Sequence, residues 1–134
     1  MQAASAEQYV YVDSVALNLH SFYSGLERLF ELIARHVDGS LPEGETWHRD
    51  LLLQMAKDLP AIRPAVISQE TITQVDQFRR FRHLVRSAYT INLSSEKMTK
   101  LMETLPALWP RLRAELLAFA DYLDTLNASF HASS

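Results

Sequence analysis

Residues 78–89 read Phe78-Arg79-Arg80-Phe81-Arg82-His83-Leu84-Val85-Arg86-Ser87-Ala88-Tyr89. At about 100° per residue, Phe78, Phe81, Val85 and Ala88 fall in one arc of a helix. That spacing predicts a helix with one buried face. Arg79, Arg80, Arg82 and Arg86 fall within two of its turns, with His83 between them. Arg82 and Tyr89 are seven apart, so they lie within about 20° of each other. Both sit at the edge of the apolar arc, and Arg86 is one turn from Arg82 on the same side. Like charges this dense repel each other, and an anionic partner relieves them. The planar, permanently charged guanidinium is well suited to phosphate. The competing reading is a solvated basic face paired with Asp or Glu from a neighbour.

Outward from this stretch the chain reads as helices joined by short breaks. A first helix is expected from Asp13 or Ser14, either of which can cap it. Val15, Leu19, Phe22, Leu26, Leu29, Phe30 and Ile33 form its apolar stripe. Gly39 is its stop, and residues 38–44 are a loop by composition. A second helix runs from Thr46 to Asp58, burying Leu51, Leu52, Met55 and Trp47, and ends before Pro60 and Pro64. The third, containing the Arg-rich stretch, begins near Ser68 or Thr71 and reaches Asn92. Thr71 with Gln74 has the form of a capping box. The last helical region, Glu96 to Leu126, contains Pro106 and Pro110, which are expected to kink or split it. Leu112, Leu116, Phe119, Leu123 and Leu126 line one side of its second half. Four to five helices with short loops imply an all-α fold, an antiparallel helical bundle.

Composition agrees. The chain of 134 residues fits a single domain, 1–134, with a core of about 13–127 and short flexible termini. Only 3 Gly leave few turns for a many-stranded protein, and 48% hydrophobic residues exclude a disordered chain. Cys is absent, which excludes disulfides and thiol catalysis. The net charge is -3, which by itself gives no hint of nucleic-acid binding. No apolar window is long enough to span a membrane, and no secretory leader is visible, so the expectation is a cytoplasmic protein without membrane contact. His20, His36, His48 and His131 lack a metal-ligand spacing, so neither metal nor cofactor is expected. Glu115, Asp121 and Asp124 read as helix surface.

The run Phe81 to Tyr89 resembles the signature of the HEPN superfamily, in particular the HepT-like toxins. Their pattern is Arg, four to six residues, His, one residue, Tyr. Arg82 matches the Arg and Tyr89 the Tyr. Leu41-Pro42, Trp47-His48, Leu51-Leu52, Arg63-Pro64 and Leu105-Pro106 extend the resemblance over roughly Ser14 to Leu126. It implies a homodimeric helical bundle with the motif helices at the interface. It also implies a metal-independent endoribonuclease acting on tRNA or mRNA, the toxin of a type VII-like toxin–antitoxin pair. The implied partner is an MNT-type nucleotidyltransferase antitoxin, which in some pairs silences the toxin by adding AMP to the motif Tyr. On this reading Arg82, position 87 and Tyr89 are catalytic, and Tyr89 is also the modification site. Arg79, Arg86 and His83 contact RNA phosphates.

The motif's His position is occupied by Ser87. Metal-free RNA cleavage proceeds by attack of a 2′-hydroxyl on the adjacent phosphorus, and a group titrating near neutral pH moves the protons. A Ser hydroxyl does not titrate there, so the expectation is a site that binds RNA and cleaves it weakly or not at all. Ser87 is either a replacement of a His that harmed the host, a natural variant that keeps binding alone, or a position whose role passes to His83. On one regular helix Arg82, position 87 and Tyr89 cannot converge, so either the helix distorts near Ser87 or two protomers build the site. The rival function is a non-catalytic helical adaptor that docks a nucleotidyltransferase through the Arg-rich face.

Overall fold

The computed structural model describes residues 6–87 and 95–132. Among them are four α-helices: α1 (Ala6–Ile33), α2 (Trp47–Met55), α3 (Gln69–Ser87) and α4 (Ser95–Ala132). A five-residue π-helical segment, Ala34–Asp38, continues α1. The chain is an all-α bundle. α3 packs against each of the other three helices. Ser68, just before α3, donates its N–H to Glu115 of α4 (3.0 Å), and Glu70 pairs with Arg111 (3.3 Å). The other end of α3 shares a cleft with Lys97 and Lys100. α3 and α4 therefore run antiparallel.

The core follows the periodicity. Leu19, Leu26, Phe30 and Ile33 of α1 are buried, as are Leu51, Leu52 and Met55 of α2 and Phe78 and Phe81 of α3. Each such side chain contributes about 1.5–3 kcal/mol by leaving water. Leu29 departs from its expected place and is 39% exposed, whereas Tyr23 fills the core. Gly39 ends the first helical run at φ 70°, a left-handed position that glycine adopts without a Cβ clash, and its N–H reaches the Ala34 carbonyl.

Several boundaries differ from expectation. α1 is already helical at Ala6, the first described residue and seven residues before Asp13, because Ala6, Glu7 and Gln8 are good helix formers and a cap residue does not oblige a helix to start. α2 is shorter at both ends. The third helix uses Ser68 as its cap: Ser68 Oγ accepts the Thr71 N–H at 3.2 Å, so the Thr71–Gln74 box is not the start. α4 runs as one helix through Pro106 and Pro110. Met102, Pro106 and Pro110 recur every fourth residue on an exposed face, so the carbonyls that lose an N–H partner, those of Met102 and Pro106, face water. The expected end at Asn92 lies outside the described residues.

The irregular chain between α2 and α3 is held by Arg63, whose side chain is fully buried. Its Nε donates to Asp38 Oδ1 (2.6 Å) and its Nη2 to Asp38 Oδ2 (2.7 Å). Nη1 reaches the Lys57 and Pro64 carbonyls, and Nη2 the Gln54 carbonyl. Gln54 adds a bond to Asp38 at 2.7 Å. Arg63→Met leaves the Asp38 carboxylate buried without its cation, and the expected loss is about 3–5 kcal/mol in urea unfolding. A loss below about 1 kcal/mol contradicts this role.

Candidate functional site

α3 turns its apolar arc inward as the spacing requires, with Phe78 and Phe81 buried. Its cations divide between two surroundings. Asp76 Oδ1 accepts from Arg79 Nε (2.6 Å) and its Oδ2 lies 2.9 Å from Arg80 Nε. One carboxylate thus serves two guanidiniums and leaves net positive charge. The pairing acid comes from the same helix, at i−3 and i−4, rather than from a neighbouring element.

Arg82 is placed differently. It is half-buried against α1, and its Nε donates to Ser24 Oγ at 3.2 Å. This bond ties the guanidinium to α1 through its Nε, on the side opposite its two terminal nitrogens. His83, the next residue, is exposed on another face. Arg86 and Ser87 lie in the last described turn of α3, which is α-helical through Ser87. Positions 82 and 87 are therefore about 140° apart around one helix, too far to meet at one point. Tyr89 lies outside the described residues.

Beside Arg82 the structure assembles residues that sequence reasoning did not group. Tyr23, on α1, donates its hydroxyl to Glu27 Oε2 at 2.8 Å. His48 Nδ1, from α2, lies 2.7 Å from the same oxygen. A carboxylate can only accept, so this contact assigns a proton to Nδ1. Trp47 stacks on the His48 ring at 3.6 Å between centroids. Glu27 is 5% exposed, so the two donors are what make its burial tolerable. Burial raises the Tyr23 pKa strongly, and the Glu27 charge and hydrogen bond add to the rise. Arg79 and Arg82 pull it the other way, so both guanidiniums act electrostatically on Tyr23.

The result is a polar seam through the bundle: His48, Glu27 and Tyr23, then Arg79 and Arg82, with Ser24 as the Arg82 anchor. Tyr23 and Glu27 are four apart, between Leu19, Leu26 and Phe30. A carboxylate and a phenol four apart on a core stripe were the available signal. Their partner His48 comes from a different helix: Trp47-His48 belonged to the family pattern, but nothing in the sequence joined His48 to Glu27. The seam can hold a guanidinium in a fixed orientation at the α1–α3 boundary, as a group that grips a phosphate requires. Among the described residues, no helix is long and apolar enough to cross a membrane.

In comparisons with known proteins, a family model described as HepT-like protein matches residues 14–123, most of the chain. No curated protein and no solved structure matches.

The raised Tyr23 pKa has a consequence at high pH. The unfolded phenol ionises near pH 10, whereas the folded one keeps its proton. The folded state therefore binds the proton more tightly above that pH, and stability present below it is lost as pH rises. In an absorbance titration at 295 nm, the Tyr23 phenolate, identified by difference from Tyr23→Phe, should appear only as the chain unfolds. Its appearance near pH 10 in the folded chain overturns the assignment.

Proposed function

Because the chain belongs to the HepT-like proteins of the HEPN superfamily, we propose that it is the toxin of a cytoplasmic toxin–antitoxin pair, a metal-independent endoribonuclease in its active form. The observation that carries the reading is Arg82, the motif's Arg, held half-buried and oriented by Ser24 beside the polar seam. A guanidinium tethered in this way has less side-chain freedom to lose on binding the scissile phosphate, and stabilises the charge that grows on the phosphoryl oxygens. Arg86 supports it from the next turn.

In the reaction the 2′-oxygen forms a bond to phosphorus and the bond from phosphorus to the 5′-oxygen breaks. One group takes the 2′-hydroxyl proton and another gives a proton to the leaving 5′-oxygen. Position 87 is the acid–base position, and with Ser87 there the chain binds RNA and cleaves it weakly. Helical geometry through Ser87 supports a homodimer in which one protomer's Arg82 faces position 87 of its partner. Tyr89 orients the site and accepts AMP from an MNT-type nucleotidyltransferase antitoxin. The substrate, tRNA or mRNA, follows the same family reading.

Restoring a titrating group should raise RNA cleavage by Ser87→His about 10²–10⁴-fold over the unmodified chain, measured on a labelled RNA under metal-free conditions. A well-folded Ser87→His chain as inert as the parent removes the catalytic assignment.

A further inference from the structure

Between the approach to α3 and the second half of α4 lies a cavity of about 310 Å³. Pro64, Val66 and Ile67 form one wall, and Phe119 and Tyr122 of α4 form the other. Both walls are pinned. The Val66 and Ile67 N–H groups donate to the Met55 carbonyl (2.8 and 3.3 Å), and the Tyr122 hydroxyl donates to the Ile62 carbonyl (3.2 Å). Among the described residues that line the cavity, Glu115 is the one acid and none is a cation. Its Oε1 accepts the Ser68 N–H at 3.0 Å, whereas its Oε2 is shielded from water and has no hydrogen-bond partner. A carboxylate oxygen buried without a donor costs free energy that one added N–H restores. The cation one turn earlier on α4, Arg111, pairs with Glu70 instead (3.3 Å). From Ala114 to its last residue the sequence holds Glu115, Asp121 and Asp124 and no Lys or Arg, so α4 beyond the cavity adds no fixed positive charge.

We propose that this cavity receives an arginine side chain from a partner polypeptide. The inference does not depend on the RNA reading, because the cavity lies at the start of α3, about 20 Å along that helix from Arg82. Its volume is near the small end of ligand cavities, which suits one side chain rather than a cofactor. The terminal torsion of a Glu side chain is broad, so a modest turn brings Oε2 toward a donor in the cavity. Arginine suits the walls better than lysine. Its planar, weakly hydrated guanidinium stacks on aromatic faces, and the Phe119 and Tyr122 rings stand 6.0 Å apart with 32° between their planes. Its aliphatic stem matches the apolar loop wall. The surroundings favour a polypeptide over a free guanidinium. Ala118, Tyr122 and Leu126 recur every fourth residue along α4, a strip of about 12 Å, and Leu126 is 50% exposed. Ile62, tied to Tyr122, is exposed beside it. Apolar residues flanking the arginine cover that strip, whereas a free cation leaves it bare. Asp121, exposed on the same helix, adds negative charge beside the strip and favours a partner of positive charge.

The probe is the blocked peptide N-acetyl-Leu-Arg-Leu-amide, titrated into the full chain while NMR follows the backbone N–H signals of Ser68 and Ala118. The control peptide carries citrulline in place of arginine, which keeps the shape and loses the charge. The arginine peptide should shift both signals. The citrulline peptide should bind about tenfold more weakly, the size of one hydrogen bond to a charged group. Glu115→Gln keeps an oxygen for the Ser68 N–H and should cost the arginine peptide about the same factor. Asp121→Asn removes equal charge outside the cavity and should change binding less than about twofold. Circular dichroism checks that each variant keeps its helix content. Should Glu115→Gln lose it, Ala118→Leu carries the test: this exposed lining position crowds the cavity and should weaken binding with Glu115 intact. Absence of shifts with the arginine peptide overturns the proposal. So does equal binding of the two peptides, or an equal effect of Glu115→Gln and Asp121→Asn. Butylguanidinium binding as tightly as the arginine peptide makes the occupant a free cation, and shifts that grow with protein concentration alone make it a second copy. Either result overturns the partner polypeptide.

Discussion

The bonds between Arg63 and Asp38 set the frame in which the rest of the molecule packs. Asp38 ends the first helical run, and Arg63 lies in the irregular chain that feeds α3. Their two bonds, 2.6 and 2.7 Å, lock the far end of α1 to the approach of α3. A buried ion pair is tolerable only when its remaining donors are satisfied. Here the carbonyls of Gln54, Lys57 and Pro64 satisfy them, so the end of α2 is drawn into the same knot. The consequence is rotational. A slip of one residue in α3 turns its side chains by about 100° and would carry Arg82 away from Ser24 and Phe78 out of the core.

Within that frame the polar seam and the basic helix depend on each other. Tyr23 is buried with its proton retained, Glu27 accepts from two donors, and Arg79 and Arg82 act electrostatically on the phenol. Charge at the α1–α3 boundary is thus partly balanced while one guanidinium remains oriented. The Arg-rich stretch serves two sides of α3. Arg82 faces α1 and the seam, and Arg80 and His83 face the cleft shared with α4.

Much of the fold was legible because periodicity reports burial directly. Leu19, Leu26, Phe30, Leu51, Leu52, Met55, Phe78 and Phe81 sit where spacings of three and four place them. Gly39 is legible because a left-handed stop favours glycine. Pro106 and Pro110 misled because their effect depends on which way the lost hydrogen bonds face, and both open toward solvent. Charge density and the family pattern singled out Arg82 and its neighbours, and the structure adds what each of Arg79, Arg80 and Arg82 touches. The pairing of His48 with Glu27 was not legible, since they are 21 residues apart and meet only through packing. Lys97 and Lys100 are two ordinary lysines until α4 folds back on α3. The Asp76 pairing corrects the expected source of counter-charge, which is the helix itself.

The central claim is that position 87 moves protons for a phosphate held at Arg82. It is tested most directly by the pH dependence of RNA cleavage by the Ser87→His chain beside the unmodified one. The account predicts a limb titrating near pH 6.5, the ordinary range of His, present in the His chain and absent with Ser87. Superimposable profiles for the two chains, with no limb in that range, would contradict it.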